Sequence, residues 1–518
     1  MSAVILVEVS VISPEGEARV LRFSDRAIRP FPPTDPDRPG AGFEDRLVEP
    51  PSLRRALFDD LTTLSPGLGV GAMRLMNADR GLDVYQAWAW GEMKVLRWTE
   101  GQPFAAAELV FSGLSGPPAG GISSTRPGRV SASLYDYRAE VEGVLQTVLY
   151  AGTNGVGGVL YEGEAEGIKG SPKPIALGRL DDAHVPAPQV NGAVLAHQLH
   201  DGPIAGHVQV FDRGDDAGFA DAGSLAPAAF DTFSPPPAGW CRDETRGLIK
   251  INGDPVGTLT FGLRGDASDG YVETTGPILR RLLLKAGVPA ARIGASVASL
   301  ASTAPVGAWF GQPIDAREAI GWVARSALAA ALPDREGVWN AAALAAPAEV
   351  ADHVIDADEV IDIESDDAAP APVGEVRIGW GRIWTTFDGN ALAAALRGAS
   401  AETRLAEDYR WAVDEDLITK ARHPRTWRTL RLTTALRQEA DALALAATLK
   451  GLFGLRPDGR ARERRRVTVP LTSARLAVPL GATVELSYPP AGIDDRFIFL
   501  AEEPLRPRRD LAIWTLWG

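Results

Sequence analysis

Short apolar runs separated by Gly- and Pro-rich turns occupy both ends of the chain, and they restrict its fold more than any other feature. Near the N-terminus they read AVILVEVSV, MRLMNA, DVYQAWAWG, MKVLRWT and AELVFSG. The last fifty residues contain RVTVPL, ARLAVPL, TVELSY, RFIFLAEEPL and DLAIWTLWG. Runs of this length, rich in β-branched and aromatic residues, predict strands of antiparallel sheets or barrels.

Helical patterns lie mostly between these ends. One helix is predicted where Pro277 and Gly287 bracket an apolar stripe. A second is predicted after Asp315, which with Glu318 resembles a capping box. Further helices are predicted near 389–413 and 434–453, the latter with Leu443, Ala446, Leu449 and Phe453 at core spacing. One more is predicted inside the N-terminal part, where Leu53, Ala56, Leu57 and Leu61 follow Ser52. Grouped helices favour a predominantly β α+β fold.

The 518 residues exceed what one hydrophobic core usually organises. We expect an N-terminal β-rich domain over 1–168, a second β-rich domain over 169–266, a helix-containing domain over 267–346 and a C-terminal strand–helix–strand domain over 347–518. The acidic segment 347–373 resembles a linker, but Ile355, Val360, Ile361 and Ile363 predict that part of it packs as a strand.

Charge and cysteine content exclude several classes of protein. The formal net charge of −14 disfavours sequence-specific DNA binding. The single cysteine, Cys241, cannot form an intrachain disulfide. The N-terminus has no signal-peptide pattern, and no apolar run reaches the eighteen or so residues of a membrane span. We therefore expect synthesis in a cytoplasm and no membrane span.

Residues 169–203 carry three of the six histidines, which raises the question of a metal site. His197 and His200 form a His-x2-His pair, and His207 follows seven residues later. Zinc accepts imidazole ligands, but no Cys or Glu stands at a recognised spacing for a third or fourth ligand. Positions three apart on a strand also point to opposite faces. Ordinary structural histidines are the favoured interpretation.

Four acidic doublets are candidates for the general acid and base of glycoside cleavage. That reaction needs two carboxyl groups facing each other across a cleft. Adjacent residues rarely do so, and their turn-like surroundings favour local bonds to backbone amides. The loop at 212–218 does not fit a calcium-binding pattern. The doublets are Asp181/Asp182, Asp215/Asp216, Asp366/Asp367 and Asp494/Asp495.

The common hydrolase, metalloprotease and nucleotide-binding signatures do not occur, and the glycine-rich stretch 67–71 does not fit the dinucleotide pattern. A basic run before a late strand has the charge to contact phosphates or an acidic partner, although a solvated turn is the favoured interpretation. Its arginines are Arg456, Arg460, Arg462, Arg464, Arg465 and Arg466. We therefore predict no catalytic residues, no metal and no cofactor.

Several segments in a fixed order carry a family resemblance. KGSPKPIALGRL, AHQLHDGPI and VQVFDRG resemble a segment of tail-tip proteins from long-tailed phages and gene transfer agents, especially those of alphaproteobacteria. Later segments resemble the same family in the same order, and MRLMNADRGLD with MKVLRW and ELVFSG resembles the ribbon of a tail-hub barrel. These later segments are GLIKINGDPVGTLTFGLRGD, GYVETTGPILRRLL, PVGAWFG, EVRIGWGRIWTT, ARHPRTWRTL and GIDDRFIFLAEEPLRPRRDLAIWTLWG.

The resemblance implies a baseplate hub at the virion tail tip: a homotrimer that closes the tail tube, with two similar β-barrels per subunit and a smaller α/β insertion. Residues 347–518 would complete the second barrel. The implied partners are the distal tail protein and tube end, the C-terminus of the tape-measure protein, and tail fibres or other tip proteins. Lys169 to Leu180 would be a stiff connection. DNA would pass through the lumen unbound, and we expect acidic side chains along its wall.

Two alternatives remain open beside the hub. One is a tail-associated hydrolase of cell-wall glycan, which a facing carboxylate pair in a cleft would support. The other is a receptor-binding protein in which exposed Trp88, Trp90, Trp240 or Trp427 recognises a surface sugar, although core or subunit contact is the favoured role of these rings.

Overall fold

The computed structural model describes residues 3–65, 67–120, 128–365, 372–456, 458–506 and 508–518. Strands outnumber helices, which confirms the predicted predominantly β α+β class. The N-terminal strands are β1 Val4–Ile12, β2 Ala18–Ser24, β3 Glu44–Asp45, β4 Ser52–Ala56, β5 Val70–Met76, β6 Ala89–Trp98, β7 Glu108–Ser115, β8 Ala119–Gly120 and β9 Arg129–Tyr135.

The middle of the chain mixes strands with short helices. Its elements are β10 Ile175–Val185, β11 Gln189–Asn191, β12 Ala196–Gln198, β13 Gln209–Asp212, β14 Asp215–Asp216, β15 Ala220–Ser224, α1 Pro227–Thr232, β16 Gly239–Asp243, β17 Leu248–Asn252, β18 Leu259–Arg264, α2 Thr275–Lys285, α3 Ala295–Ala298, β19 Gly307–Phe310, α4 Ala316–Ala324, β20 Ala329–Pro333 and β21 Trp339–Ala343. Strand β10 takes in the second half of the predicted connection 169–180, so only the residues before Ile175 link elements.

The last third returns to strands after one more group of helices. Its elements are β22 His353–Ile355, β23 Asp362–Ser365, β24 Val373–Trp380, α5 Ser400–Ala406, β25 Arg410–Glu415, α6 Leu417–Arg422, β26 Arg428–Thr433, α7 Glu439–Phe453, β27 Arg464–Pro470, α8 Ser473–Leu476, β28 Thr483–Tyr488, β29 Ile493–Pro504 and β30 Leu511–Trp517. Short 3-10 helices occur at Asp83–Ala87, Phe104–Ala106, Tyr137–Val141, Gly192–Val194, Ala290–Arg292, Arg325–Ala327, Ala357–Glu359, Ala394–Leu396 and Pro489–Ala491.

One 15-stranded sheet joins the two ends of the chain. Its strand order is β23-β27-β30-β29-β4-β5-β9-β7-β6-β1-β2-β3, with β28 beside β29, β22 beside β28 and β8 beside β9. The strands before residue 136 form what we call the N-unit, and β22, β23 and β27 to β30 form the C-unit. The pairing of β4 with β29 is the point where the two units meet.

In each unit a short segment bonds to strands that lie at or next to the two edges. In the N-unit, β3 pairs in parallel with β2, and the residues that follow it bond to β5 through Val48 N–H to Arg74 O and Met76 N–H to Arg46 O. In the C-unit, β22 pairs in parallel with β28, whereas β23 pairs antiparallel with β27. Each unit is thus an antiparallel run with one parallel pair, contributed by the segment that spans its edges.

Four smaller sheets occupy the chain between these units. Two have five strands, in the orders β14-β13-β18-β10-β19 and β11-β12-β17-β16-β15. A third has the order β25-β24-β26, and β20 pairs with β21 alone. The buried residues of the N-unit, the C-unit, α2, α4 and α7 form one continuous hydrophobic cluster, while the sheet around β10 and β18 has a smaller core of its own.

The helices follow the predicted capping chemistry. Asp315 is the N-cap of α4, and its carboxylate accepts from the N–H groups of Arg317 at 3.0 Å and Glu318 at 3.2 Å. Gly287 has a φ of +92°, a conformation that favours glycine just past the end of α2. In α7, Ala446, Leu449 and Phe453 are buried as predicted, but Leu443 is 42% exposed and does not join the core.

Two predictions about helices are wrong. Residues 52–56 form strand β4 and not the start of a helix, because the segment is held between β5 and β29. The stretch 389–413 contains the short 3-10 helix Ala394–Leu396 and the short helix α5, and then enters β25. In both places strand pairing with residues distant in sequence overrides the local helical spacing.

The acidic segment 347–373 packs partly as strand, as predicted, through β22 and β23. Ile355 is fully buried there, whereas Ile361 is 58% exposed. Among the described residues no helix has the length and apolar character needed to cross a bilayer. The domain boundaries drawn from the sequence stay a prediction.

Candidate functional site at the junction of the two units

Three charged side chains meet where β4 joins β29. Arg55 on β4 directs Nη1 to Oε1 of Glu502 on β29 at 3.1 Å. Arg335, in the turn between β20 and β21, bonds the other oxygen of the same carboxylate. Arg55 is 6% exposed and Glu502 is 2% exposed. The three side chains therefore form a largely buried Arg–Glu–Arg group that joins three parts of the chain.

Backbone carbonyls accept further hydrogen bonds from this group. Arg55 donates to Pro333 O at 3.2 Å, and Arg335 donates to Val110 O at 2.6 Å and to Leu476 O at 2.9 Å. The carbonyl of Arg335 in turn accepts from the N–H and hydroxyl of Ser112. Burial lowers the pKa of Arg55, and the Glu502 carboxylate opposes that shift. Bonding on all sides offsets the cost of burying these charges.

A second buried pair supports the same strand. Arg138 donates to Ala56 O at 3.1 Å and pairs with Asp136 at 2.6 Å, and both side chains are at most 4% exposed.

A cleft of about 890 Å³ opens beside the junction, with Arg55, Arg335, Glu502 and Asn340 in its wall. These groups fix the relative position of the two units. The spacing of residues along the chain gave no signal for them, because Arg55 and Glu502 are 447 positions apart.

The three histidines considered for a metal make separate contacts. The ring of His197 lies 3.0 Å from Ala187 O, and burial lowers its pKa. His200 Nδ1 accepts from Ala176 N–H at 3.0 Å, and its Nε2 lies 3.7 Å from Asp266. His207 is half-exposed, 3.5 Å from Asp181. No group of three or more metal-ligating side chains is found in the part of the chain that the structure describes.

Asp266 shows how contact with His200 changes the pKa of a buried carboxyl group. Burial raises the pKa of this carboxyl, but hydrogen bonds from His200 and Ser268 outweigh burial and hold the pKa below its usual range. Arg281 adds an ion pair at 3.3 Å. The charged carboxylate ties the loop before α2 to the sheet that contains β10, which is a structural role.

The acidic doublets make local bonds. Asp181 and Asp182 lie in β10 and Asp494 and Asp495 in β29, so their expected turn-like surroundings are wrong for these pairs. Asp181 pairs with Arg179 at 2.7 Å, and Asp495 pairs with Arg456 at 2.6 Å. Asp215 and Asp216 form the short strand β14 and accept backbone N–H bonds. Asp366/Asp367 lie outside the described residues.

The basic run is largely compensated. Arg462 donates to Gly451 O and Leu452 O, both at 2.8 Å, and its guanidinium lies over Trp517. Arg465 pairs with Glu463 at 3.1 Å and Arg466 with Glu364 at 3.7 Å. The stretch 67–71 runs from a loop into β5.

The four candidate tryptophans do not form one exposed platform. Trp90 and Trp240 are buried, at 9% and 5% exposure. Trp88 is half-buried, with Arg19 over its ring at 5.5 Å. Trp427 is also half-buried, and Lys420 Nζ lies 4.4 Å from its ring centroid.

Three solved structures similar to this chain are named as tail proteins. A tail protein from Neisseria meningitidis aligns with a TM-score of 0.43 and 10% identity, covering 99% of this chain and 96% of its own. The 43 kDa tail protein of prophage MuSo2 from Shewanella oneidensis gives 0.37 and 9%, covering 98% and 97%. A prophage tail protein from Listeria monocytogenes gives 0.31 and 10%, covering 99% and 94%. No protein-family model and no curated protein matches the chain.

Proposed function

We propose that this chain is the structural hub of a tail tip, acting as a homotrimer that closes the distal end of the tail tube. The observation that carries the proposal is the single sheet in which the first and last strands of the chain form two edge-linked units joined at β4 and β29. Each unit is the counterpart of one barrel in the duplicated arrangement implied by the sequence resemblance.

Duplication solves a problem of symmetry. A tube with sixfold symmetry must meet machinery of threefold symmetry, and three copies of a chain with two similar units present six units in a ring. The buried Arg–Glu–Arg group would hold the two units of one subunit at a fixed spacing. The same ring would contact the distal tail protein and the tube on one side, and tail fibres or other tip proteins on the other.

The lumen of such a ring would hold the C-terminus of the tape-measure protein and later pass DNA. The net charge of −14 suits this role, because each lysine or arginine that neutralises a phosphate adds affinity and would retard the duplex. We expect acidic side chains to line the passage. A map of the assembled tip with a strongly positive lumen would contradict this part of the proposal.

The copy number of the chain tests the proposal directly. We expect a mass of three times the 55.0 kDa chain for the purified protein by light scattering, or three copies in each isolated particle by electron cryomicroscopy. One copy or six copies per particle would overturn the hub. Turnover of purified peptidoglycan by the isolated chain would instead support the hydrolase alternative.

A further inference from the structure

The outer face of the sheet β25-β24-β26 carries a group of residues that the hub role does not use. Along β24, Val376 and Ile378 are fully buried on the side that packs against α7. Arg377 and Gly379 alternate with them and therefore face the other way. Across the strands, Gly379 is paired with Trp411 on β25 and with Thr433 on β26. The outer face thus has a position without a side chain beside an aromatic one.

Two aromatic rings cover the bare backbone of Gly379. A Cβ atom at this position would lie 3.2 Å from the Trp411 ring and 3.2 Å from the Tyr409 ring. Arg431 lies over the other part of this surface, with its guanidinium carbon 3.9 Å from the centroid of Trp411. Trp411 and Tyr409 are half-buried, whereas Arg431 is exposed. The surface is a shallow aromatic wall edged by guanidinium groups.

Arg325, just after α4, closes one end of this surface. Its guanidinium forms neither an ion pair nor a hydrogen bond with any residue that the structure describes, and its Nε is buried. Burial lowers the pKa of Arg325, and Tyr409 and Glu318 only partly oppose the shift. A desolvated guanidinium without a carboxylate partner leaves several donors free for a planar anion.

These residues line a cavity of about 720 Å³ that also contains acceptors. Arg377 contributes to the rim while bonded to Glu375 at 2.5 Å. Glu407 and Asp408 form another part of the rim, and both are exposed. The cavity therefore combines an aromatic wall, guanidinium donors and carboxylate acceptors within a volume typical of small-ligand sites.

We infer that this cavity binds a short saccharide that carries a carboxylate, such as a uronic or sialic acid unit of a surface glycan. The carboxylate of the sugar would take the free donors of Arg325 and Arg431 and draw Arg431 off the Trp411 ring, and the apolar face of the sugar would stack on the ring face that Arg431 now covers. Its hydroxyl groups need acceptors as well as donors, and Glu407 and Asp408 supply the acceptors.

Other anionic ligands fit the same residues less well. A nucleic acid would place several phosphates near Glu407 and Asp408 on a chain whose net charge is already −14. An acidic peptide would satisfy the guanidinium groups, but it has no ring of hydroxyl groups for the two acceptors. The saccharide uses each kind of group that lines the cavity.

An array of bacterial oligosaccharides containing uronic or sialic acid, printed beside their carboxyl-reduced counterparts, tests the inference. We expect the full-length protein to bind acidic members and to bind the reduced counterpart at least about tenfold more weakly, as charged hydrogen bonds require. Calorimetry with the best member should show a loss of about tenfold or more in affinity for Trp411→Ala, Arg325→Gln and Arg431→Gln.

Trp427→Ala is the matched control, because Trp427 is also half-buried with a cation over its ring. Trp427→Ala should keep the affinity of the wild type. Arg431→Gln changes only an exposed side chain, so a loss of affinity in that variant does not reflect a loss of fold. The inference is overturned if no acidic member binds, if acidic and reduced members bind equally, or if Trp427→Ala loses as much as Trp411→Ala. Preference for phosphorylated glycans or for acidic peptides would overturn it too.

Discussion

Arginine plays opposite roles in two regions of this molecule. At the junction of the units, Arg55 and Arg335 are held by Glu502 and by backbone carbonyls. On the outer face of the β24 sheet, Arg325 and Arg431 form no ion pair with any described residue. Both regions lie beside clefts of several hundred cubic ångströms. The difference lies in whether the fold itself provides the anion.

This contrast separates a structural use of charge from a use in binding. A buried guanidinium that donates to a carboxylate and to backbone carbonyls of its own chain uses those donors within the fold, so it fixes the position of the elements it contacts. An unpaired one retains them for another molecule. The cavity near the unpaired arginines is therefore the better candidate for a ligand site, although the junction has the larger cleft.

The largest expected effect is at the junction. Glu502→Ala leaves Arg55 and Arg335 buried without their anion, and we expect a loss of about 3–5 kcal/mol in the free energy of unfolding. Urea denaturation followed by tryptophan fluorescence measures it. Glu503→Ala is the control, since Glu503 pairs with Arg506, which is 59% exposed, and should cost at most about 1 kcal/mol. Equal losses for the two variants would contradict the structural role of the buried group.

The two faces of the β24 sheet should also respond differently. Leu430→Ala removes a side chain that is 3% exposed on the inner face, and we expect a loss of about 3 kcal/mol. Val413→Ala on the outer face, where the side chain is 40% exposed, should change stability by less than about 0.5 kcal/mol. The same denaturation experiment measures both. A large cost for Val413→Ala would show that the outer face is covered in solution.

A third prediction concerns how the free energy of unfolding changes with pH at a buried histidine that lies near Arg404. Burial lowers the pKa of His184 to about 4, helped by Arg404. Between pH 6.5 and 4 the unfolded chain takes up a proton that the folded chain excludes, so stability falls as the pH decreases. At about 1.4 kcal/mol per pKa unit we expect a loss of roughly 2–3 kcal/mol, measured by unfolding at a series of pH values.

The matching variants isolate this histidine. His184→Gln should remove the roughly 2–3 kcal/mol that this side chain contributes in that range, as the shift of its pKa requires, whereas His207→Gln changes a half-exposed side chain and should leave that contribution in place. A pH profile of His184→Gln that is identical to that of the wild type would refute the assignment.

The smallest expected effect is at Arg325. Arg325→Gln removes a desolvated charge that has no ion-pair partner among the described residues, so its stability should stay within about 0.5 kcal/mol of the wild type. A thermal melt of the ligand-free protein is sufficient to check it. A loss as large as that of Glu502→Ala would mean that Arg325 stabilises the fold and would remove the contrast between the two regions.

The sequence predicted the class of fold and the helices whose caps are local. Asp315 and Gly287 show their roles within a few residues of the helices they bound. It failed at 52–56, where Leu53 and Ala56 have helical spacing but are buried because β4 lies between two strands. One of those strands is more than 400 residues away, and local spacing contains no information about it.

The candidate sites divide in the same way. The pairing of Arg55 with Glu502 depends on a fold that brings the ends of the chain together, so no motif announced it. The outer face of β24 is easier to predict from the sequence, because VRIGW alternates buried Val376 and Ile378 with outward Arg377 and Gly379. On β25, half-buried Trp411 alternates in the same way with buried Ala412. This period indicates Trp411 as an outward-facing ring, in contrast to the buried Trp90 and Trp240.

The pairing of β4 with β29 also has a consequence for synthesis. At typical rates of protein synthesis, the ribosome adds β29 on the order of 20–90 s after β4. Throughout that interval one side of β4 has unbonded amide and carbonyl groups, which can pair with the edge of another nascent chain. Polypeptides interrupted before β29 should therefore aggregate, and a cell that makes this protein gains from chaperones that shield β4 until translation is complete.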